Sequence, residues 1–420
     1  MDVVTYILFA IGLILFFGYF AGFVFKKYYV PDVFLLIILG IIMGRHFLDL
    51  VNINTLQIIA PVFTTFTLIF LLFDGAFNID LSSLLNEFSG SFVLTVLNFV
   101  TSSLAITLVL WVIGYFVVGL SFTMALLGGF LLGGVSSAFS IPILKQLNVN
   151  NKIYSLLMLE SALTDVFCIV FSLSVIQFLK LGNLGLQGML TQFMSFFAIA
   201  CLVGLIAGVI WVFLILKVFK QHNYIMTVAF LLVVYFITEY LNGNGAIAAL
   251  FFGIILKNSK TLSSILKGIS SDDKKHKTKA LSGKLGVSVT TPHEEEFYHH
   301  ISFLLKTFFF VYIGILIDFS DWKIVLIGLT ISGLILSVRM ISQLVTKKYK
   351  PSERKLIDSV FARGLAAAAI AQLAVQSGLS NAEFISGVTY IVIFGTIFLS
   401  SVRIFIYKFK EGVNDGTYDN

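Results

Sequence analysis

Two carboxylates interrupt a long apolar run near the middle of the chain. In MLESALTDVFCIV (158–170), Glu160 and Asp165 lie five residues apart. An ionisable side chain at the centre of a bilayer costs about 2.5–3.5 kcal/mol on insertion scales, so each one in an apolar helix needs a reason. Asp165 is followed by apolar residues and has no basic neighbour at helical spacing. An acid without an assured partner suits a group that exchanges a proton for a cation.

Other polar residues lie at a similar depth in separate apolar segments. Ser136 and Ser137 follow paired glycines in GGFLLGGVSSAFSIP, where local unwinding would free carbonyl oxygens. Carbonyls, hydroxyls and carboxylates are the ligands that hard cations prefer, although membrane serines commonly bond back to their own helix. Arg339 and Arg363 lie at the depth of Glu160. Glu160 could therefore be a structural ion-pair partner of either arginine, or a direct ligand of the ion.

The composition places these residues in a membrane. Of 420 residues, 58% are hydrophobic and only 12% are charged, which a water-soluble domain of this size could not bury. The net charge of +6 comes from basic residues dispersed among short loops, so no nucleic-acid partner is expected. The two cysteines, Cys168 and Cys201, lie in apolar segments and are expected to be inert. We predict an all-α polytopic membrane protein.

Breaks at charges, prolines and Gly/Asn clusters divide the chain into about thirteen apolar spans of membrane-crossing length. Two of them look breakable because they are rich in small residues, and as an inverted pair they would meet at midmembrane. The cut at NGNG (242–245) separates two short spans that could instead form one broken helix. The predicted spans lie near 5–25, 33–48, 56–77, 89–118, 123–145 (breakable), 153–179, 186–217, 222–241, 243–257, 298–318, 322–346, 355–378 (breakable) and 384–409.

The distribution of basic residues predicts the topology of the chain. If the N-terminus lies outside, most of the 28 Lys and Arg residues fall in loops on the inside, as the positive-inside rule requires. We predict a cell-membrane protein with a cytoplasmic C-terminus and a cytoplasmic loop at 258–297. Lys306 is expected to snorkel to the interface. Other ionisable residues near span ends are expected to be wetted or to be bystanders: Asp74, Glu239, His293, His299 and His300.

Four segments together resemble one family of transporters. ESALTD (160–165) resembles the Glu-Ser-x-x-Asn-Asp signature of the monovalent cation:proton antiporters, in the archaeal and bacterial sodium/proton (NhaP-type) branch. GGVSSAFSIPIL (133–144) resembles the unwound helix of that family, and ARGLAAAAIAQL (362–373) its Arg-Gly helix. SVRMISQLV (337–345) resembles the arginine-bearing helix before it. The order and the spacing match along nearly the whole chain.

The resemblance implies a fold, an assembly and a division into domains. The expected fold is that of sodium/proton antiporters, with inverted repeats and crossed broken helices. The expected assembly is a homodimer in the lipid bilayer, with a core domain that moves like an elevator to give alternating access. The implied ranges are dimerisation helices 1–88, core 89–180, dimerisation or linking helices 181–257, cytoplasmic loop 258–297, linking helix 298–320, core 321–410 and cytoplasmic tail 411–420.

The resemblance also assigns roles to the polar residues. It carries the monovalent-cation site over to Asp165, with Ser161 and Glu160 contributing or supporting oxygen ligands, and pairs Glu160 with Arg339 or Arg363. The sequence departs from the family's motif at two places: Thr164 replaces an Asn or Asp, and Val-Ser-Ser replaces a Thr-Asp pair. The number of ligands and the preference for Na⁺ or K⁺ therefore stay open. The full candidate ligand set is Asp165, Thr164, Ser161, Glu160, Ser136 and Ser137.

The predicted function is secondary active exchange of Na⁺, with Li⁺ as a further candidate, for H⁺, in the service of pH homeostasis. One free carboxylate that holds either a proton or a monovalent cation predicts electroneutral exchange. Exchange of K⁺ for H⁺ on the same scaffold remains an alternative. A cation channel would need a continuous pore rather than a lone deep carboxylate. An intramembrane aspartyl protease would need a second deep aspartate beside Asp165, so no enzyme is expected, and no cofactor besides the transported ions.

Overall fold

The computed structural model describes residues 3–28, 30–44, 47–48, 53–77, 81–181, 186–219, 224–259 and 292–415. These residues form fifteen α-helices joined by short turns, with no β-strand among them. The prediction of an all-α protein is confirmed. Most of the predicted cytoplasmic loop at 258–297 and the end of the predicted tail lie outside the described residues.

The helices follow the predicted spans in chain order. A π-helical turn, Ile215–Phe219, follows α8, and two 3-10 turns, Met340–Leu344 and Thr346–Lys348, follow α12. The bounds are α1 Val3–Tyr28, α2 Asp32–Met43, α3 Ile53–Ala76, α4 Leu81–Val118, α5 Phe122–Leu131, α6 Ser137–Gln146, α7 Asn151–Leu181, α8 Leu186–Leu214, α9 Tyr224–Tyr240, α10 Gly245–Lys257, α11 Pro292–Leu316, α12 Trp322–Arg339, α13 Pro351–Ser359, α14 Leu365–Gln376 and α15 Ala382–Asp415.

Length and composition identify the helices that can cross a membrane. Eight helices in the described ranges are long and apolar enough, namely α1, α3, α4, α7, α8, α11, α12 and α15. Shorter apolar helices, α2, α5, α9, α10 and α14, account for the remaining predicted spans. The NGNG cut separates α9 from α10, because Asn242 adopts a left-handed φ of 57° and Asn244 caps α10 by accepting the backbone N–H of Ile247 at 3.0 Å.

Two predicted spans are broken, as their small residues indicated. The first stops at Leu131 and restarts at Ser137, after the glycine pair Gly133–Gly134. The second stops at Ser359 and restarts at Leu365, after an extended Gly364 (φ −149°, ψ −151°). Glycine weakens a helix by about 1 kcal/mol relative to alanine and leaves the backbone free to unwind. Both breaks leave buried peptide groups without their helical hydrogen-bond partners in an otherwise apolar region.

Contacts divide the chain into two compact units. One comprises Met1–Thr65, Ser89–Asn183 and Leu304–Asn420, and the other comprises Phe66–Phe88 and Leu184–Phe303. Every candidate site residue lies in the first unit, where α12 packs on α15 and α5 packs on α7. The separation into dimerisation and core domains stays a prediction.

Charged residues near span ends make specific contacts. Lys306 does not snorkel; its Nζ lies 2.9 Å from Asp32 Oδ2, and both side chains are largely buried. Glu239 accepts the backbone N–H of Gly245 at 2.8 Å and so supports the start of α10. In the second unit, His299 Nδ1 lies 2.8 Å from Asp74 Oδ1.

Candidate ion-binding site

Asp165 on α7 lies against the start of α6. Its Oδ2 accepts the backbone N–H of Ser137 at 3.2 Å and the hydroxyl of the same serine at 2.5 Å. Ser137 is the first residue of α6, so the carboxylate lies at the positive end of that helix dipole, where negative charge is stabilised. Both side chains are partly exposed. Asp165 is therefore held by the first residue of the second half of a broken helix.

Thr164 anchors the unwound segment between α5 and α6. Its Oγ1 accepts the backbone N–H of Val135 at 3.0 Å and lies within donor distance of the Val135 and Ser161 carbonyls, at 3.3 and 3.2 Å. The side chain is fully buried. Because an unwound segment lacks its helical partners, a side-chain acceptor for Val135 N–H satisfies a group that would otherwise be orphaned.

The two breaks cross and touch. The backbone N–H of Ser136, in the first break, donates to the carbonyl of Ala362, in the second, at 2.8 Å. A side chain added at Gly364 would overlap the side chain of Ser136, and a Cβ at Gly134 would lie 2.8 Å from the Thr164 carbonyl. Each of these close approaches requires glycine at that position. The predicted crossing of two broken helices is confirmed.

Glu160 is paired with Arg339. The guanidinium binds it in a bidentate manner, Nη1 to Oε1 and Nη2 to Oε2, the latter at 2.9 Å. The side chains of Glu160 and Arg339 are only 1% and 3% exposed. Arg339 also donates from Nε and Nη2 to the carbonyl of Ile357, at 3.1 and 3.0 Å, and Asn98 Nδ2 donates to Glu160 Oε1 at 2.7 Å. Both oxygens of Glu160 are therefore occupied.

Arg363 occupies the second break without an ion-pair partner among the described residues. It is 2% exposed, and its backbone N–H donates to Thr396 Oγ1 at 3.0 Å. Its Nε is buried and has no hydrogen-bond partner in the described part of the chain. Arg363 lies within Coulombic range of both Asp165 and Glu160. The charges of the two arginines and the two acids cancel when Asp165 is ionised and carries neither proton nor cation.

The six candidate ligands have different partners in the structure, and only some of them lie at Asp165. Asp165 and Ser137 are bonded to each other, and Thr164 holds the adjacent backbone. Ser161 is buried and donates to the carbonyl of Met158 at 3.0 Å on its own helix. Ser136 and Glu160 contribute to the crossing and to the ion pair described above. Within the described ranges, no three His, Cys, Asp or Glu side chains cluster as a resident metal centre would require.

Sequence reasoning missed three residues that support the site. Asn98 belongs to a row of buried polar residues on α4, and their three- and four-residue spacing could have revealed them: Ser91, Thr95, Asn98 and Ser102. Asp358 is buried although the sequence places it near the start of a span. Thr396 bonds the backbone of Arg363, and nothing in the sequence distinguishes it from other membrane threonines.

Known proteins resemble this chain in sequence and in fold. The model of a family described as "Sodium/hydrogen exchanger, transmembrane" matches residues 12–409. A structure of the sodium proton antiporter MjNhaP1 from Methanocaldococcus jannaschii at pH 8 is similar with a TM-score of 0.73, at 20% identity and over 98% of each chain. An electron-microscopy structure of the same antiporter gives a TM-score of 0.70, at 20% identity and full coverage of both chains.

A relative from a eukaryote is similar over part of its length. Sodium/hydrogen exchanger 1 of Dictyostelium discoideum is 23% identical over 301 residues, which is 68% of this chain. The aligned part is only 40% of that relative. The structural likenesses, at this low identity, establish the fold.

Proposed function

The chain belongs to the sodium/hydrogen exchanger family, and on that premise we propose that this multi-pass membrane protein exchanges Na⁺ for H⁺. The observation that carries the proposal is one partly exposed carboxylate, Asp165, held at a helix N-terminus where two broken helices cross. The family match supports sodium over the potassium alternative. Li⁺, which carries the same charge, is proposed as a further substrate.

We propose that Na⁺ and H⁺ compete for Asp165. A proton on the carboxylate and a cation bound to it exclude each other, and that competition is enough to couple the two fluxes. The Ser137 hydroxyl can donate to the ionised carboxylate or turn to offer its oxygen to a cation, because a hydroxyl both donates and accepts. Backbone carbonyls of the unwound segment between α5 and α6 would complete the oxygen ligands that a hard cation prefers.

The other candidate residues are proposed to support this site. Glu160 is proposed as a structural ion-pair partner, because Arg339 and Asn98 engage its carboxylate. Thr164 would hold the unwound segment in place by accepting the Val135 N–H, and the second lone pair of its hydroxyl oxygen could face a cation. Ser161 and Ser136 remain candidate ligands of a second conformation.

Stoichiometry, assembly and orientation belong to the same proposal. A single free carboxylate carries the same charge whether it is loaded with H⁺ or with Na⁺, so exchange would be electroneutral and one for one. We propose alternating access in a homodimer, with the N-terminus outside and the C-terminus in the cytoplasm, as the basic-residue distribution indicates.

Flux through purified protein in liposomes tests the function. Vesicles containing a pH-sensitive dye receive Na⁺, Li⁺ or K⁺ outside, with empty vesicles as the control. We expect Na⁺ to move protons in the opposite direction, with smaller or absent responses to K⁺. A response to K⁺ alone would establish the potassium alternative, and a cation current without proton movement would establish a channel.

A further inference from the structure

Asp358 is a buried carboxylate to which the exchange mechanism gives no part. It lies in the last turn of α13 and is 2% exposed. Its Oδ1 accepts the hydroxyl of Ser342 at 2.5 Å, and its Oδ2 accepts Nε2 of Gln343 at 2.7 Å. No described Lys or Arg forms an ion pair with it. Burial of a carboxylate is costly unless hydrogen bonds compensate it, so these two bonds are part of what keeps Asp358 in place.

The residues bonded to Asp358 lie in the turn that follows Arg339. Ser342 and Gln343 lie in the 3-10 turn Met340–Leu344 that continues α12. The carbonyl of Ile357, the residue before Asp358, accepts Nε and Nη2 of Arg339. Two adjacent residues of α13 thus receive four hydrogen bonds from the end of α12. We call these two residues, Ile357 and Asp358, the 357–358 clamp.

The clamp reaches the exchange site through one ion pair. Arg339 directs its two terminal nitrogens at Glu160, which lies five residues before Asp165 on α7. We propose that Asp358 is a positioning residue for ion exchange: it fixes the end of α12 so that Arg339 holds Glu160, and with it the part of α7 that carries Asp165. This inference rests on the proposed function of Asp165.

The chemistry of a carboxylate explains why an acid occupies this position. Asp358 offers two acceptor oxygens to two donors, and hydrogen bonds to an ionised acceptor are about twice as strong as neutral ones. An asparagine could keep both contacts. Its oxygen would accept from Ser342, and the amide of Gln343 would turn to present its own oxygen. A leucine of similar size would lose both contacts.

The half-saturating Na⁺ concentration of exchange tests the proposal. Loss of folded protein lowers the maximal rate but leaves half-saturation unchanged, whereas a displaced site changes it. We expect Asp358→Leu to raise half-saturation about tenfold, because small misplacements of a reactive group have large effects. Asp358→Asn should stay within about twofold of the wild type. Ser332→Ala, which removes a hydroxyl bonded within α12 at 2.8 Å, is the matched control and should change nothing.

Each outcome decides the inference. Unchanged half-saturation in Asp358→Leu overturns it, and so does an Asp358→Asn variant as impaired as the leucine. If Asp358→Leu does not fold, Ser342→Ala, which removes one donor, should raise half-saturation about threefold, and no change there overturns the inference.

A second measurement separates the inference from the proposed function. If the wild-type protein shows no Na⁺/H⁺ exchange, the proposed function is wrong. The 357–358 clamp can still be tested in that case, by thermal unfolding. The melting shift caused by Asp358→Leu should be at least halved in an Arg339→Leu background, because residues that act together are not additive. Equal shifts in the two backgrounds overturn the clamp.

Discussion

Replacing Glu160 by glutamine should destabilise the protein, and replacing Arg363 should not. The change Glu160→Gln removes the charge that both terminal nitrogens of Arg339 face, in a pair that is almost fully buried. The guanidinium keeps only the Ile357 carbonyl and the new amide as acceptors. Arg363, by contrast, has no side-chain hydrogen bond and no ion pair among the described residues, so Arg363→Gln breaks no bidentate contact.

Known buried pairs set the size of the effect. Removing one partner leaves an uncompensated charge and costs about 3–5 kcal/mol. At about 2.1 cal/mol/K per residue, the unfolding entropy of 420 residues is about 0.9 kcal/mol/K, which converts that loss into a melting shift of about 3–6 °C. Since membrane helices keep part of their structure on heating, their unfolding entropy is smaller and this shift is a lower bound.

Thermal unfolding of detergent-purified variants measures the effect. Glu160→Gln and Arg339→Gln should each melt below the wild type by about that amount. Asp165→Asn and Arg363→Gln serve as matched controls and should shift far less, because neither residue belongs to the bidentate pair. Equal melting shifts in Glu160→Gln and Arg363→Gln, or wild-type melting in Arg339→Gln, would show that the Glu160–Arg339 ion pair does not stabilise the protein.

The crossing of the broken helices gives a second prediction: Gly364→Ala should abolish exchange in liposomes, because its Cβ overlaps the side chain of Ser136. The control, Gly333→Ala, adds a Cβ that meets nothing within 4 Å and should retain wild-type flux. Equal flux in the two variants would contradict a tight crossing. Thr164→Val should lower the free energy of unfolding by about 1–3 kcal/mol relative to Thr164→Ser, because valine leaves the Val135 N–H unsatisfied. Equal melting temperatures of the two variants would exclude this anchoring role. Finally, Na⁺-driven pH change should not depend on a membrane potential clamped with valinomycin and K⁺, once K⁺ is shown not to be a substrate, because one carboxylate carries equal charge in both directions; a rate that follows voltage would require a second titrating group.

The spans and the breaks could be predicted from the sequence because both have strong local causes. Apolar runs of membrane-crossing length need no tertiary information, and glycine pairs beside Ser136 locate the first break without any neighbour. The boundaries differ more from prediction; α4 begins at Leu81, whereas the predicted span begins near 89. The assignment of fold and family followed from four motifs in order.

The partners inside the site could not be predicted from the sequence. Arg339 and Arg363 lie at the same depth, yet Arg339 ends a regular helix while Arg363 lies in an extended break, so their side chains leave the backbone in different directions. Sequence spacing does not contain that difference. Likewise, Ser137 bonds Asp165 and Ser136 bonds Ala362 because α6 starts between them. Asp358 was missed because depth alone cannot show that the end of α12 covers it.

Na⁺-driven proton movement in liposomes containing Asp165→Asn tests most directly whether Na⁺ and H⁺ compete for this carboxylate. Asparagine keeps the shape of the side chain and can still accept from Ser137, but it cannot take up a proton or neutralise a cation. We expect no exchange above that of empty vesicles, in protein that melts close to the wild type. Exchange at the wild-type rate in this variant would contradict competition of Na⁺ and H⁺ for Asp165, because the competing ions would then meet at another group.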